Sequence, residues 1–464
     1  MSVNRKQAEA QLQTVTDFKH FLSADPAALA FLADSRRGQP ITLARAPGRL
    51  DVMGGVADYS GSLVAEMSIA EAALVALVPR TDRTLRVWSR GVEAEGLTPQ
   101  VSLSLDDFTG QGGLLSYDAL RSRLCRSPKT RWAAYVFGCF FVLLAEKIVR
   151  GFDHGASLIL DSRVPPGAGV SSSAAIEVAT TQAVNAAYGL NLDGVTLARL
   201  AQTVENKVVG APCGIMDQMS SALCVPDSLL LILCQPHEVQ GMQALPEGVR
   251  VFGINSGVKH SVGGSAYARA RVAAFMGRKI LGVDDLALLS AAQLAAGEGR
   301  LPEIISGADY LAAYGKTGDS VTTIDPALSY AVRACTRHGV LENERVRQFV
   351  HGLASGTGGA SLKRAGALMY ESHASYSQIG LGCEETDRLV NLGRQAGQAN
   401  GIYGAKITGG GSGGTVAFLT YGDAAEQTIH EIAEAYRQQT VRTPQIFQGG
   451  LSPGAMAFGS EKLT

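Results

Sequence analysis

The sequence carries almost no net charge: 41 basic and 42 acidic side chains leave −1 over 464 residues. With no basic surplus there is nothing to condense on a polyanion, which excludes a general nucleic-acid binder and a protein held to an anionic membrane by charge. Any anion bound here must be held by local geometry. Cysteine is sparse and scattered, at Cys125, Cys139, Cys213, Cys224, Cys234, Cys335 and Cys383, with no Cys-x-x-Cys pair. That argues against a zinc framework or disulfide scaffold, and buried reduced thiols are expected. Long hydrophobic runs are missing too. The most apolar stretch, Trp132 to Ala145, is interrupted by Gly138 and too short to span a bilayer, so a buried helix is predicted. The opening MSVNRKQAEAQLQTVTDF holds no apolar run, so no signal peptide is expected. A cytoplasmic protein without nucleic-acid or membrane partners is expected, as monomer or homodimer. Internal repeats and low-complexity linkers are also lacking.

What is present suits a packed globular protein: 46% of residues are apolar and 18% charged, and a chain this long buries a core without covalent staples. Helix is predicted over 1–35, broken at Asp25-Pro26. A short strand is expected from Ile41 to Ala44, stopped by Pro47-Gly48. Further strands are expected at 70–78, 84–89, 156–164, 229–233, 249–254 and 415–419, with another late strand around 453–459. Apolar residues at helical spacing mark 174–188 and 197–209, and the chain from 266 to about 400 reads as mostly helical. Strands and helices mix without regular alternation, which favours an α+β fold over a doubly wound sheet. The expected boundary lies near residue 248, dividing 1–248 from 249–464.

Glycine is the residue in excess: 54 of them, about 12% against a usual 7% or so. The surplus gathers in a few segments. Val164-Pro-Pro-Gly-Ala-Gly-Val-Ser-Ser-Ser-Ala-Ala175 follows a predicted strand and opens a predicted helix. Gly167 and Gly169 permit a tight bend and close ligand approach. Ser171, Ser172 and Ser173 lie where free helix N–H groups favour an anion, and hydroxyls there can also bind a metal. Lys406-Ile-Thr-Gly-Gly-Gly-Ser-Gly-Gly-Thr415 matches G-x-G-x-x-G and G-x-S-x-G, but a strand-like run follows where both motifs need a helix. A flexible glycine loop lining a site between domains fits better. Ala44 to Leu63 places Arg49, Asp51, Asp58 and Tyr59 among glycines, proline and apolar residues. Finally, Asp217 follows Ile215-Met216, and a carboxylate in apolar surroundings is either paired or functional. Gly315-Lys316-Thr317 lacks the glycine a P-loop needs five positions earlier and is set aside.

Together these segments resemble the GHMP kinases, and within them the galactokinases. The serine segment resembles the family's ATP-phosphate loop, Gly409 to Gly414 its third motif and Ala46 to Gly61 its first. Pro212-Cys-Gly-Ile-Met-Asp-Gln218 stands as in galactokinases, and Ile254 to Tyr267 and Glu371-Ser-His373 are similar to other galactokinase segments. The resemblance implies a kinase using ATP and Mg²⁺, with a ribosomal-protein-like N-terminal domain, a ferredoxin-like C-terminal domain and the active site between them. It implies Asp217 at the anomeric hydroxyl with Arg49 as its partner. Ser172 and Glu205 would hold Mg²⁺. Asp58, Tyr267 and the Gly214 backbone would contact sugar. Pro166, Gly167, Ala168, Gly169, Ser171, Ser172, Ser173, Ala174, Gly410 and Gly411 would form the ATP site. A carboxylate beside a guanidinium is a weak base. Whether Asp217 abstracts the proton or chiefly orients the hydroxyl stays open.

One departure bears on the substrate. Galactokinases read Gly-Glu-His-Thr-Asp-Tyr in the first motif, where this chain reads Gly54-Gly-Val-Ala-Asp-Tyr59. In that family the Glu and His meet the hydroxymethyl group at C6 of galactose; Gly55 and Val56 stand there instead, while Asp58 is kept. L-Arabinopyranose is galactose with hydrogen in place of that hydroxymethyl, and the variant motif also resembles that of plant L-arabinokinases. A sugar 1-kinase forming β-L-arabinose 1-phosphate is expected. The alternatives are a galactokinase forming α-D-galactose 1-phosphate, another sugar 1-kinase such as one taking a uronic acid, and, in a different class, a sensor that binds sugar without turnover.

Overall fold

The computed structural model describes residues 3–33, 35, 38–259, 265–356 and 359–463. Residues 260–264 of the Ile254–Tyr267 segment lie outside them.

The chain opens with helices α1 (Val3–Ala24) and α2 (Pro26–Leu32). The break falls where Asp25 caps α2, its Oδ1 accepting from Ala27 and Ala28 N–H at 2.9 and 3.0 Å, with Pro26 at the first helical position. Phe18, Leu22 and Phe31 bury against Leu43, Leu74 and Ile159 of the first sheet.

That sheet has eight strands. Those on its main path are β1 (Ile41–Met53), β2 (Leu63–Pro79), β3 (Thr84–Ser89), β4 (Gln100–Ser104), β5 (Ala156–Ser162) and a strand from the far end of the chain, in the order C-terminal strand-β1-β2-β5-β3-β4. β6 (Ser228–Leu233) also pairs with β2, and β7 (Glu238–Ala244) with β6. Strand β1 corrects the expectation of a short strand ending before Pro47. It continues to Met53, with a register shift between Pro47 and Arg49. A bulge is where a strand tolerates proline. Here it also brings the backbone beside the serine segment: Arg49 N–H donates to the Val170 carbonyl at 3.1 Å.

Helices α3 (Tyr117–Leu124), α4 (Ala134–Ala145), α5 (Ser172–Tyr188), α6 (Gly194–Thr203) and α7 (Met216–Leu223) accompany this sheet. α4 is apolar almost all round, as a helix buried in a core must be, while α5, buried along most of its length with polar residues among its apolar ones, packs on β1 and β2. The expected helix over 197–209 divides: α6 ends at Thr203 and a π-helical turn covers Val204–Val209, closed by Gly210 at φ 82°.

A second, four-stranded antiparallel sheet begins with β8 (Val249–Asn255). Helix α8 (Ser265–Leu281) is followed, after a stretch of short helices and a two-stranded sheet over 286–330, by α9 (Val332–Ala354), α10 (Gly359–Gln378) and α11 (Glu384–Ala396). β9 (Ile402–Ile407), β10 (Thr415–Tyr421), α12 (Ala425–Thr440) and β11 (Ile446–Gln448) complete the layer, in strand order β9-β10-β8-β11. α10 lies so close to β9 that a Cβ at Gly366 would sit 1.9 Å from the Tyr403 carbonyl oxygen.

The region around 453–459 is not a strand. Residues Ala455–Phe458 form the short helix α13, and β12 follows at Ser460–Leu463, pairing with β1 from Ile41↔Leu463 to Ala44↔Ser460. The last residues thus return to the first sheet. Among the described residues no helix is long and apolar enough to cross a membrane.

Candidate active site

A cavity forms where β1, the start of α5, the π-helical turn, the start of α7, α8 and the 409–414 glycine run converge. Of the residues singled out above, Arg49, Asp58, Gly167, Gly169, Ser171, Ser172, Ser173, Glu205, Gly214, Asp217, Tyr267 and Gly410 line it, joined by Pro212, Cys213 and Met216.

At its floor, Arg49 donates to Asp217 Oδ1 from Nε at 3.0 Å and from Nη2 at 2.7 Å, and from Nη1 to the Gly169 carbonyl at 2.8 Å. Its Nε also lies 3.3 Å from Glu66 Oε2. Burial alone would lower the Arg49 guanidinium, but Asp217, Glu66 and Asp51 outweigh it and push the group above its ordinary value. It is a fixed cation. α7 places Asp217 in its first turn and is tied to β1 by the Ser221 hydroxyl, which donates to the Pro47 carbonyl at 2.8 Å.

The serine loop bends through Gly167 and Gly169, both at φ 74°, a region that side-chain-bearing residues avoid. Ser171 precedes α5 in the left-handed conformation and gives no side-chain cap; its Oγ is buried without a partner. The first amides of α5 have no intrahelical acceptor either. An anion fits both deficits. The 409–414 run is held firmly against this loop: Thr415 Oγ1 donates to the Ala168 carbonyl at 2.8 Å. The expected flexible loop is therefore a packed one, and of its glycines Gly410 reaches the cavity.

On the other side Asp58 faces Gly214 closely enough that a Cβ at 214 would lie 1.6 Å from Asp58 Oδ2. Glycine is required there by contact. The turn is fixed by Asn206, whose Oδ1 accepts from Cys213 N–H at 2.8 Å, and by Arg271, which donates to the Cys213 carbonyl at 3.1 Å. Burial, with Asp217 adding, pushes the Asp58 carboxyl up to about 6.

Two predicted sugar contacts, Gly55 and Val56, are not among the lining residues. A Cβ at Gly55 would lie 2.0 Å from Asp51 Oδ2 and 2.1 Å from the Tyr376 hydroxyl, so no side chain fits. Val56 is buried in the apolar cluster behind Tyr59 and Tyr267. Pro166, Ala168, Ala174 and Gly411 also stand off the cavity: Pro166 is exposed, and the other three are buried in the packing that supports the loops.

The GHMP kinases N terminal domain model matches residues 134–224 and the GHMP kinases C terminal model 352–438. A galactokinase of Chloroflexus aggregans is 33% identical over 407 residues, covering 88% of this chain and 90% of its own. The chain belongs to the GHMP kinases. L-arabinokinase of Arabidopsis thaliana is 41% identical over 91% of this chain, and this chain spans 46% of that protein. Lactococcus lactis galactokinase complexed with galactose aligns at TM-score 0.75 and 21% identity, over 95% of this chain and all of its own. Methanococcus jannaschii mevalonate kinase aligns at TM-score 0.53 and 14% identity, over 90% of this chain and all of its own. The expected α+β, two-domain GHMP kinase fold is the one observed, and the chain is a sugar kinase of the galactokinase and arabinokinase type.

This GHMP kinase site also contains groups that sequence reasoning missed. Glu177, on the second turn of α5, is fully buried and shares one amide with Glu205: Gln218 Nε2 donates to Glu205 Oε2 at 2.7 Å and to Glu177 Oε2 at 3.1 Å. Glu177 Oε1 and Gln218 Oε1 have no partner. Burial, then the charge of Asp217, pushes Glu205 up to about 7, and burial with the Glu205 charge pushes Glu177 up as well. Two buried carboxylates joined through one amide, with Glu177 Oε1 and Gln218 Oε1 left unpaired, fit a cation. Yet among the described residues no group of three or more His, Cys, Asp or Glu could hold one. Phosphate oxygens would have to complete the shell, as is usual for Mg²⁺. Glu66, also missed, is fully buried beneath Arg49. Both glutamates look like ordinary element residues in the sequence; only their lack of neighbouring charges could have marked them.

Proposed function

We propose that this chain transfers the terminal phosphoryl group of ATP to the anomeric hydroxyl of L-arabinose, forming β-L-arabinose 1-phosphate and ADP. The observation that carries the phosphotransfer is the Arg49–Asp217 pair, set between an anion-ready helix start and a sugar-facing Asp58–Gly214 wall. Phosphoryl transfer needs alignment and charge stabilisation more than covalent help. Ser171 to Ser173 and the first amides of α5 hold the phosphates. Arg49 meets the charge of the transferring group. Asp217 accepts a hydrogen bond from the sugar hydroxyl and aims it at the phosphorus. Ser172 and Glu205 would hold Mg²⁺, which when bound neutralises phosphate charge.

The choice of pentose rests on position 55. Asp51 and Tyr376 occupy the space a side chain would need there, and Val56 is apolar, so neither position 55 nor position 56 carries a carboxylate or imidazole side chain for a hexose hydroxymethyl. The identity to the Arabidopsis thaliana L-arabinokinase supports the same reading. Its test is ADP formation from ATP over a panel of sugars. L-Arabinose should exceed D-galactose in kcat/KM by roughly 10²-fold, the discrimination usual where a pocket merely lacks a hydroxyl partner. D-Galactose turned over equally well or better would replace this reading with that of a galactokinase.

A further inference from the structure

Behind the cavity lies a charged pair that the phosphotransfer does not use. Lys406 at the end of β9 and Asp51 on β1 are both completely buried, with Nζ 2.8 Å from Asp51 Oδ2. The same carboxylate accepts from Gly409 N–H at 3.2 Å through Oδ2 and from Gly55 N–H at 3.1 Å through Oδ1. Asp51 N–H in turn donates to Thr408 Oγ1 at 2.7 Å. Tyr376, on the last turn of α10, reaches into this knot, its hydroxyl 2.9 Å from the Gly409 carbonyl and 3.3 Å from Asp51 Oδ2. His338 of α9 closes it from the far side, with Nε2 3.2 Å from the Gly55 carbonyl and Nδ1 2.8 Å from Ser375 Oγ. A carbonyl can only accept, so Nε2 carries the proton and Nδ1 accepts from the serine hydroxyl. The Gly55 backbone is thus held at both its N–H and its carbonyl. The next residue, Val56, sits at φ 59°, a conformation a β-branched residue keeps only when its surroundings impose it.

We propose that Asp51, Lys406 and Tyr376 form one buried positioning unit that stands in place of a side chain at position 55. It fixes the Gly409–Gly411 turn against β1, so that Gly410 and Arg49 present a set distance to the phosphates. Residue 51 supplies the carboxylate that pairs with Lys406, and the Tyr376 hydroxyl fills the remaining volume. The unit and the bare glycine are therefore matched: a carboxylate can enter at 55 only if it leaves 51 and the tyrosine is shortened. Which side chain position 55 can carry is decided by residues 51, 376 and 406, none of which line the cavity.

The test is a mutational cycle read by unfolding temperature and by kinetics. Tyr376→Phe keeps the ring and its packing. It should raise KM for ATP or lower kcat by about tenfold while leaving sugar KM unchanged, because it frees only the glycine turn. Asp51→Asn and Gly55→Glu should each lower the unfolding temperature and cut kcat by more than about tenfold, one by orphaning Lys406 and the other by collision. The triple variant Asp51→Asn/Gly55→Glu/Tyr376→Leu should recover both readouts, since the carboxylate introduced at position 55 then serves Lys406. If a single variant does not accumulate in soluble form and the triple variant does, the recovery is the same result. Losses that add in the triple variant, or Tyr376→Phe with unchanged kcat and KM, would overturn the unit. The kinetic half rests on the phosphotransfer reading and the unfolding half does not. A chain inactive on every sugar, with recovery of the unfolding temperature intact, would sink that reading alone.

Discussion

At the scale of single residues, the site depends on a few groups whose neighbours fix their behaviour. Asp217 is half of an ion pair with a buried arginine. Asp217→Asn should cost at least about 10³ in kcat while ATP binding, read by calorimetry, stays within a few-fold. An active variant would remove Asp217 from the chemistry. Gly214→Ala should raise sugar KM more than tenfold or so, with ATP KM unmoved, because the new methyl meets Asp58 at 1.6 Å. Asp58 also predicts a pH effect. Its carboxyl lies at about 6 in the fold against an ordinary 3.8, so the folded state holds this proton more tightly than the unfolded one. Its contribution to stability is therefore greatest below about pH 4, falls as pH rises, and is level again above about pH 6. Subtracting the stability–pH curve of Asp58→Asn from that of the unliganded parent should leave a difference that declines by about 3 kcal/mol across this window. A flat difference would mean that Asp58 is hydrated in solution.

At the scale of elements, two irregularities position site residues, and neither is legible in the sequence. Proline and glycine at 47–48 read as a stop, yet strand pairing on both sides carries β1 through them as a bulge, and the bulge delivers Arg49. The helical periodicity of 197–209 does not distinguish an α-turn from a π-turn, but the π-turn is what aims Glu205 inward. That turn is braced by Arg121, which donates to the Lys207 carbonyl from Nη2 at 2.7 Å and from Nε at 3.1 Å. Arg121→Ala should raise the Mg²⁺ concentration needed for half-maximal ADP formation several-fold, at constant sugar KM, since each such bond is worth about 1–3 kcal/mol. An unmoved Mg²⁺ requirement would show that the turn holds itself. The late strand lies a few residues beyond its expected place, because the apolar Ala455–Phe458 run forms a helical turn before the chain straightens.

At the scale of the whole molecule, the cavity lies where the two sheets' elements meet, and the chain's last strand returns to pair with the strand that carries Arg49. Ending the chain after Gly459 should lower the unfolding temperature by a few degrees through loss of that edge pairing and of Leu463 packing, with KM values unchanged. A drop in kcat at constant unfolding temperature would instead place the strand in the site's alignment. The sequence alone determined the fold class, the order of the glycine motifs and most of the polar side chains around the cavity. Those features are local: glycine at a forbidden φ, serine at a helix start and an aspartate among apolar neighbours each carry their reason within a few residues. Tertiary structure alone decided the parts that depend on pairing across the chain. Glu66 under Arg49, Glu177 beside Glu205, and Lys406 on Asp51 are charges that meet only once the chain has folded. A buried charge is stabilised only by the partner it meets, and no periodicity in the chain records which partner that will be.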